Sequence, residues 1–190
     1  MEQSKNGRLM TVVLSTLLAF SMMGCARVAE THDDLTTVPP PEIEPAMTPE
    51  LPRTFPTPAG FVNDFANVLN STAERDLESK LAAFQKNKKV DFAVVTISST
   101  GPGSIDDYSL EMTREWKVGS ENGGLLLLIS VDDRKWRIQI DRKLEKIITN
   151  DEVNEIGQLM VPDLKRKDYA SGLAKCADAM IVSLTKKVGN

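Results

Sequence analysis

Histidine is almost missing from this chain of 190 residues: the single copy, His32, falls in a proline-rich stretch ahead of any segment able to build a core. The apolar part of the chain therefore holds no histidine base or ligand, which excludes Ser-His-Asp and Cys-His nucleophiles and typical zinc hydrolysis. Cysteine is as scarce, with Cys25 and Cys176 only. Cys176 lies on the helical stripe Leu173, Cys176, Met180, Ile181 and Leu184, so it reads as a core residue. No glycine loop of the phosphate-cradling type is present, since Gly101-Pro102-Gly103 lacks the spacing. Long apolar runs are missing too. The longest, Met10 to Met23, is shorter than the roughly 20 residues that span a bilayer as a helix.

That run is nevertheless informative. Lys5 and Arg8 give it a basic start, and it closes on Ser21-Met22-Met23-Gly24-Cys25-Ala26. This is the pattern of a secretory leader. The small residue before Cys25 resembles a lipobox, with Met22 where leucine is usual, so the expectation is cleavage of residues 1–24 and lipidation (palmitate and diacylglycerol) of Cys25. Two or more acyl chains anchor firmly. Ala26 after the cysteine resembles the outer-membrane sorting pattern, which places the chain in a bacterial envelope facing the periplasm. The alternative is an ordinary leader in which Cys25 is incidental.

Residues 1–24 hold Lys5, Arg8 and Glu2, so the processed chain keeps 21 of the 23 basic and 26 of the 27 acidic side chains, net charge −5. An acidic balance offers no basic face for nucleic acid. With Cys25 modified, one thiol is left and no internal disulfide can form, so stability must come from packing.

From Val28 to Pro58 the chain is rich in Thr, Glu and Pro, including Pro39-Pro40-Pro41. Such a stretch has little to bury and favours extended geometry, so residues 25–58 read as a tether. Residues 59–190 then form one domain of ordinary size.

Within it, Leu77, Leu81 and Phe84 at helical spacing predict a helix over Ser71 to Gln85, capped by Ser71-Thr72. Phe92-Ala93-Val94-Val95 predicts a strand buried on both faces within Val90 to Ser98. Ser104 caps a second helix running to about Trp116. Leu125 to Ile129 after Gly123-Gly124 predicts a second central strand, joined to the first by a right-handed parallel crossover. Asp132-Asp133-Arg134 reads as a turn. Trp136, Ile138 and Ile140 alternate with polar residues and predict an antiparallel hairpin strand. Helices follow over Asp151 to Lys165 and Asp168 to Lys187. The expected fold is α/β: an α/β/α three-layer sandwich around a small mixed, mostly parallel sheet with one antiparallel hairpin strand.

The chemistry left is that of oxygen ligands, which suits hard cations such as calcium or magnesium. The hairpin strand should return Asp141 beside Asn122-Gly123, and Asn63-Asp64 with Asn150-Asp151 could close on the same rim. The other reading of these residues is that Asp64 and Asn150 are plain helix caps and the remaining carboxylates are solvated.

The order of motifs resembles the TPM domain family, found in thylakoid-lumen proteins of photosystem repair, a receptor modulator and bacterial envelopes. The matching pieces are Phe61-Val62-Asn63-Asp64-Phe65-Ala66, Trp116-Lys117-Val118-Gly119, Glu121-Asn122-Gly123-Gly124 with its leucine run, Arg137-Ile138-Gln139-Ile140, Leu144-Glu145, Ile148-Thr149-Asn150, Val161-Pro162 and Asp168 to Leu173. The resemblance implies an α/β/α sandwich, with calcium binding and weak acid-phosphatase activity in some members. It carries the family's rim onto Asp64, Asn122, Glu145 and Asn150. Where the family has Gly-Tyr-Gly-Leu-Glu-Gly, this chain has Asp141-Arg142-Lys143-Leu144-Glu145-Lys146, which removes three glycines that let backbone approach a ligand.

Three readings follow. The first is a membrane-tethered envelope adaptor with a protein partner, binding a divalent cation such as Ca2+ through Asp64, Asn122, Asp141, Glu145 and Asn150, and helping membrane-protein assembly or upkeep. The second is a weak metal-assisted phosphatase with Asp64 as ligand or nucleophile, assisted by Asn150 or Glu145. The third is a calcium-stabilised structural domain without turnover.

Overall fold

The computed structural model describes residues 53–188. The expected leader, the lipidation site Cys25 and His32 lie outside the described residues.

Two apolar runs make the centre of the sheet. Strand β2 (Asp91–Ile97) and strand β3 (Gly124–Ser130) pair in parallel, Phe92 opposite Leu125 and Thr96 opposite Ile129. Successive side chains in a strand point to opposite faces. Phe92, Val94, Leu125, Leu127 and Ile129 thus build one core, while Ala93, Val95, Ile97, Leu126 and Leu128 build another behind them. Strand β4 (Lys135–Ile140) runs antiparallel to β3 and adds Ile138 and Ile140 to the first core. At the other edge, strand β1 (Val62–Asp64) pairs in parallel with Val94–Thr96 of β2. The sheet order is β1-β2-β3-β4. Strand β1 has no counterpart in the sequence reading, because three residues are too few to show a period and only their pairing makes them a strand.

Helix α1 (Ser71–Lys88) buries Leu77, Leu81 and Phe84 against the first face. Its cap is Asn70, whose side-chain oxygen accepts from the N–H groups of Thr72 at 3.1 Å and Ala73 at 2.9 Å, and not the expected Ser71-Thr72. It runs past Gln85 to a left-handed Lys89 (φ 54°) that closes its end. Helix α2 (Ile105–Glu115) starts on the expected Ser104 cap and covers the second face with Ile105 and Met112.

The expected single helix over Asp151 to Lys165 is two, α3 (Asn150–Gln158) and α4 (Val161–Lys165). Pro162 is tolerated only in a first turn, where its missing N–H has no helical partner, so a new helix must begin there. Helix α5 (Tyr169–Lys187), capped by Asp168, lays Leu173, Cys176, Met180 and Leu184 into the first core. The result is the three-layer sandwich expected, with α1, α3 and α5 on one face and α2 on the other.

The parallel strands lie in consecutive order, yet α1 and α2 cover opposite faces. The crossovers β1-α1-β2 and β2-α2-β3 therefore have opposite hands, so the right-handed preference is met by only one of them.

The folded part begins before residue 59. Residues 53–58, assigned by composition to the tether, pack over α2. The Phe55 ring meets Tyr108 edge-on at 5.1 Å, Arg53 sits 5.8 Å from the Tyr108 ring centre and 3.3 Å from the Glu111 carboxylate, and the Trp116 indole N–H donates to the Pro56 carbonyl at 3.0 Å. Proline richness misled the boundary here, because an extended arm can still bury aromatic surface.

Candidate functional site

In a parallel sheet, residues just before the strands and residues just after them stand at opposite edges. The expected ligands divide along this line. Asn122 precedes β3 and is tied to the end of α1, its amide donating to the Lys88 carbonyl at 2.8 Å. Asp141 returns at the end of β4 to the same edge, where its backbone N–H donates to the Gly124 carbonyl at 2.9 Å. This half of the sequence reading holds. The Asp141 carboxylate lies over Gly123 (φ 105°), where a Cβ would meet its Oδ1 at 2.7 Å, so glycine is required there for shape as well as for dihedral angle. Glu145 follows, exposed, in a 3-10 turn (Leu144–Lys146) whose Leu144 is buried.

Asp64 does not join them. It closes β1 opposite Thr96, while the rim begins at Asp91 opposite Gly124. Five residues of strand separate the two levels, roughly 17 Å at the usual rise. The Asp64 carboxylate accepts from the N–H groups of Val68 at 3.1 Å and Leu69 at 2.7 Å and from the Thr96 hydroxyl, so it folds the β1–α1 connection. Asn150 is the first, exposed residue of α3, and the cap is Thr149, which accepts from the Glu152 N–H at 3.3 Å. The expected rim of five is thus divided, with Asp64 on the edge opposite Asn122 and Asp141.

A calcium ion takes six to eight oxygens. The five residues cannot supply one such shell from two edges. Among the described residues, no group of three or more His, Cys, Asp or Glu side chains is placed to hold a metal ion. The rim carbonyls are occupied as well: the Lys143 ammonium donates to the carbonyls of Ser120 at 2.9 Å and Glu121 at 3.1 Å, and Asp141 Oδ1 accepts from the N–H groups of Lys143 and Leu144. The residues present do not fit the calcium shell that the resemblance implies.

Two features escaped the sequence reading. One is Asp133, in the turn expected at Asp132-Asp133-Arg134. Its carboxylate accepts from the hydroxyls of Ser130 at 2.6 Å, Ser99 at 3.0 Å and Thr100 at 3.2 Å and from the Thr100 N–H at 2.9 Å, knotting the β2–α2 loop to the β3–β4 hairpin. These bonds, with that from Ser130 foremost, lower its pKa to about 2. The other is a groove of about 640 Å³ beside the rim, walled by Arg114 and Lys117 at the end of α2 and by Arg142 and Lys143 after β4. The charges at 142 and 143 were the available signal, but the placement of α2 across from them was not in the sequence. Cys176 is buried, and burial pushes its thiol up to about 12, which fits a core residue.

The sheet order and the helix layers define an α/β/α sandwich. The TPM domain pattern matches residues 62–182, and this chain belongs to the TPM domain family. A solved N-terminal domain from P. gingivalis is similar at 30% identity, over 67% of this chain and 83% of that one, with a TM-score of 0.62. The BA42 protein of the psychrophilic bacterium Bizionia argentinensis shares the fold at 16% identity (63% and 83% covered, TM-score 0.57). So does an N-terminal domain from Corynebacterium glutamicum at 15% identity (74% and 88% covered, TM-score 0.54). No curated protein matches.

Proposed function

We propose that this TPM domain is a binding module of the bacterial envelope, anchored by lipid on Cys25 and held on a proline-rich tether, which engages a protein partner during membrane-protein assembly or upkeep. The observation that carries this reading is the position of Lys143. Its ammonium occupies the Ser120 and Glu121 carbonyls at the rim where a metal-assisted hydrolase needs a cation and its water. Asp64, the residue that a phosphatase would use, is engaged by two backbone N–H groups and the Thr96 hydroxyl on the other edge.

Two assays on the full chain test this. Metabolic labelling with palmitate should mark the wild-type chain and leave Cys25→Ala unlabelled and released from the membrane fraction; a soluble, unlabelled wild-type chain sinks the anchoring. A phosphomonoester assay with calcium or magnesium should give no turnover that depends on Asp64. Turnover abolished by Asp64→Asn would establish the phosphatase instead.

A further inference from the structure

The groove between the end of α2 and the segment after β4 has a composition unlike the chain as a whole, which carries net charge −4. Its walls bring Arg114, Lys117, Arg142 and Lys143 together with only two carboxylates, Asp141 and Glu145. One of these, Asp141, already accepts from the Lys143 and Leu144 N–H groups. Arg114, Lys117 and Arg142 are exposed, and among the described residues none of them makes an ion pair. Lys143 is held by two carbonyls, which leaves its charge unneutralised. A local excess of positive charge in a concave site raises the potential there above that of an open surface.

The shape narrows the occupant. The cations come from two lips, one at the end of α2 and one in the loop after β4, and the lining also holds Leu110, Val118, Ile140 and Gln139. A flat anionic bilayer meets protruding cations, not charges set around a recess. A single phosphate has no use for the apolar residues of the lining. A segment of extended chain with carboxylates alternating with apolar side chains matches both the cations and Leu110, Val118 and Ile140.

We infer that this groove is the docking site for an acidic, partly apolar peptide segment of the partner, a proposal that rests on the binding-module reading above. Arg114 in the last turn of α2 and Lys117, just past its end in a left-handed conformation (φ 53°), present the charges of the first lip. Arg142 presents that of the second.

The probe is a fluorescein-labelled dodecapeptide of alternating glutamate and leucine, titrated into the full chain and followed by anisotropy. Saturable binding is expected, weakening with added salt. Reversal of the first lip, R114E with K117E, should weaken it about tenfold, as should R142E alone from the other lip, while reversal of the exposed Lys165 on α4, which packs on α5, K165E, should leave it unchanged. Thermal melts establish that each variant is folded, and the two lips provide independent variants. Equal affinity in all four chains overturns the proposal. So does displacement of the peptide by inorganic phosphate or by phosphatidylglycerol vesicles at matched ionic strength, which would assign the groove to a phosphate group. Groove-dependent binding in a chain that carries no palmitate would refute the anchoring and keep the groove. Palmitate labelling with groove-independent binding would do the reverse.

Discussion

Trp136 on β4 and Gly157 on α3 meet so closely that a Cβ on Gly157 would stand 2.3 Å from the Trp136 ring. Helix α3 can lie on the sheet only because this position has no side chain. Alanine is the better helix former by about 1 kcal/mol, so propensity alone predicts a gain from Gly157→Ala. Overpacking opposes it and wins: the substitution should destabilise the domain by about 1–3 kcal/mol, read by urea denaturation. Pairing it with Trp136→Leu should recover part of the loss, and an additive double variant would show that the clash is not the cause.

Acid should loosen the junction at Asp133. Its folded pKa of about 2 lies below the ordinary 3.8, so the stability it contributes is fully present above that ordinary value and is lost as the pH falls from about 4 to about 2. Asp133→Asn should flatten the fall in melting temperature across that window. An unchanged slope would mean that the Ser99, Thr100 and Ser130 bonds contribute nothing.

Asp64 should behave as a structural residue. Removing an acceptor for two backbone N–H groups leaves them without partners, so Asp64→Ala should cost about 1–3 kcal/mol. The cost should be the same with and without millimolar calcium. A calcium-dependent rise in melting temperature that the substitution abolishes would return Asp64 to a ligand role.

The arm before residue 59 should add to stability. A chain beginning at Ala59 lacks the Phe55 contact with Tyr108, the Arg53 contacts and the Pro56 acceptor of Trp116. Against a chain beginning at Leu51 it should lose about 1–3 kcal/mol and show a changed tryptophan emission. Identical melts would mean that residues 53–58 contribute nothing to the fold.

The strands that were legible in the sequence are those whose burial is written in composition. Phe92 to Val95 and Leu125 to Ile129 are apolar on both faces, and Trp136, Ile138 and Ile140 alternate. Strand β1 was not legible, and the misplaced rim followed from that. Once Val62–Asp64 is a parallel strand, Asp64 must stand at its carboxyl end, on the edge opposite Asn122 and Asp141. Read as a helix mouth, the same residue was free to be placed with them. Helix ends were legible at Ser104, where a capping residue follows a glycine-rich loop. At α1, Asn70, Ser71 and Thr72 all have capping side chains, and which one caps depends on where the backbone leaves its extended conformation. The basic groove was half legible, since Arg142 and Lys143 are adjacent in sequence while Arg114 and Lys117 reach them only through the packing of α2 on β4.

The clamped arm also decides how the molecule bears mechanical load. Any tension arriving along the chain ahead of Arg53 is met first by the Arg53 contacts with Glu111 and Tyr108, then by Phe55 on Tyr108, before it reaches the paired strands. Surface contacts of this kind are individually weak beside the paired strands, so the arm is expected to detach before the sheet opens. A pull on the chain at Arg53 would thus free a few residues and uncover Tyr108 and Trp116 without unfolding the domain.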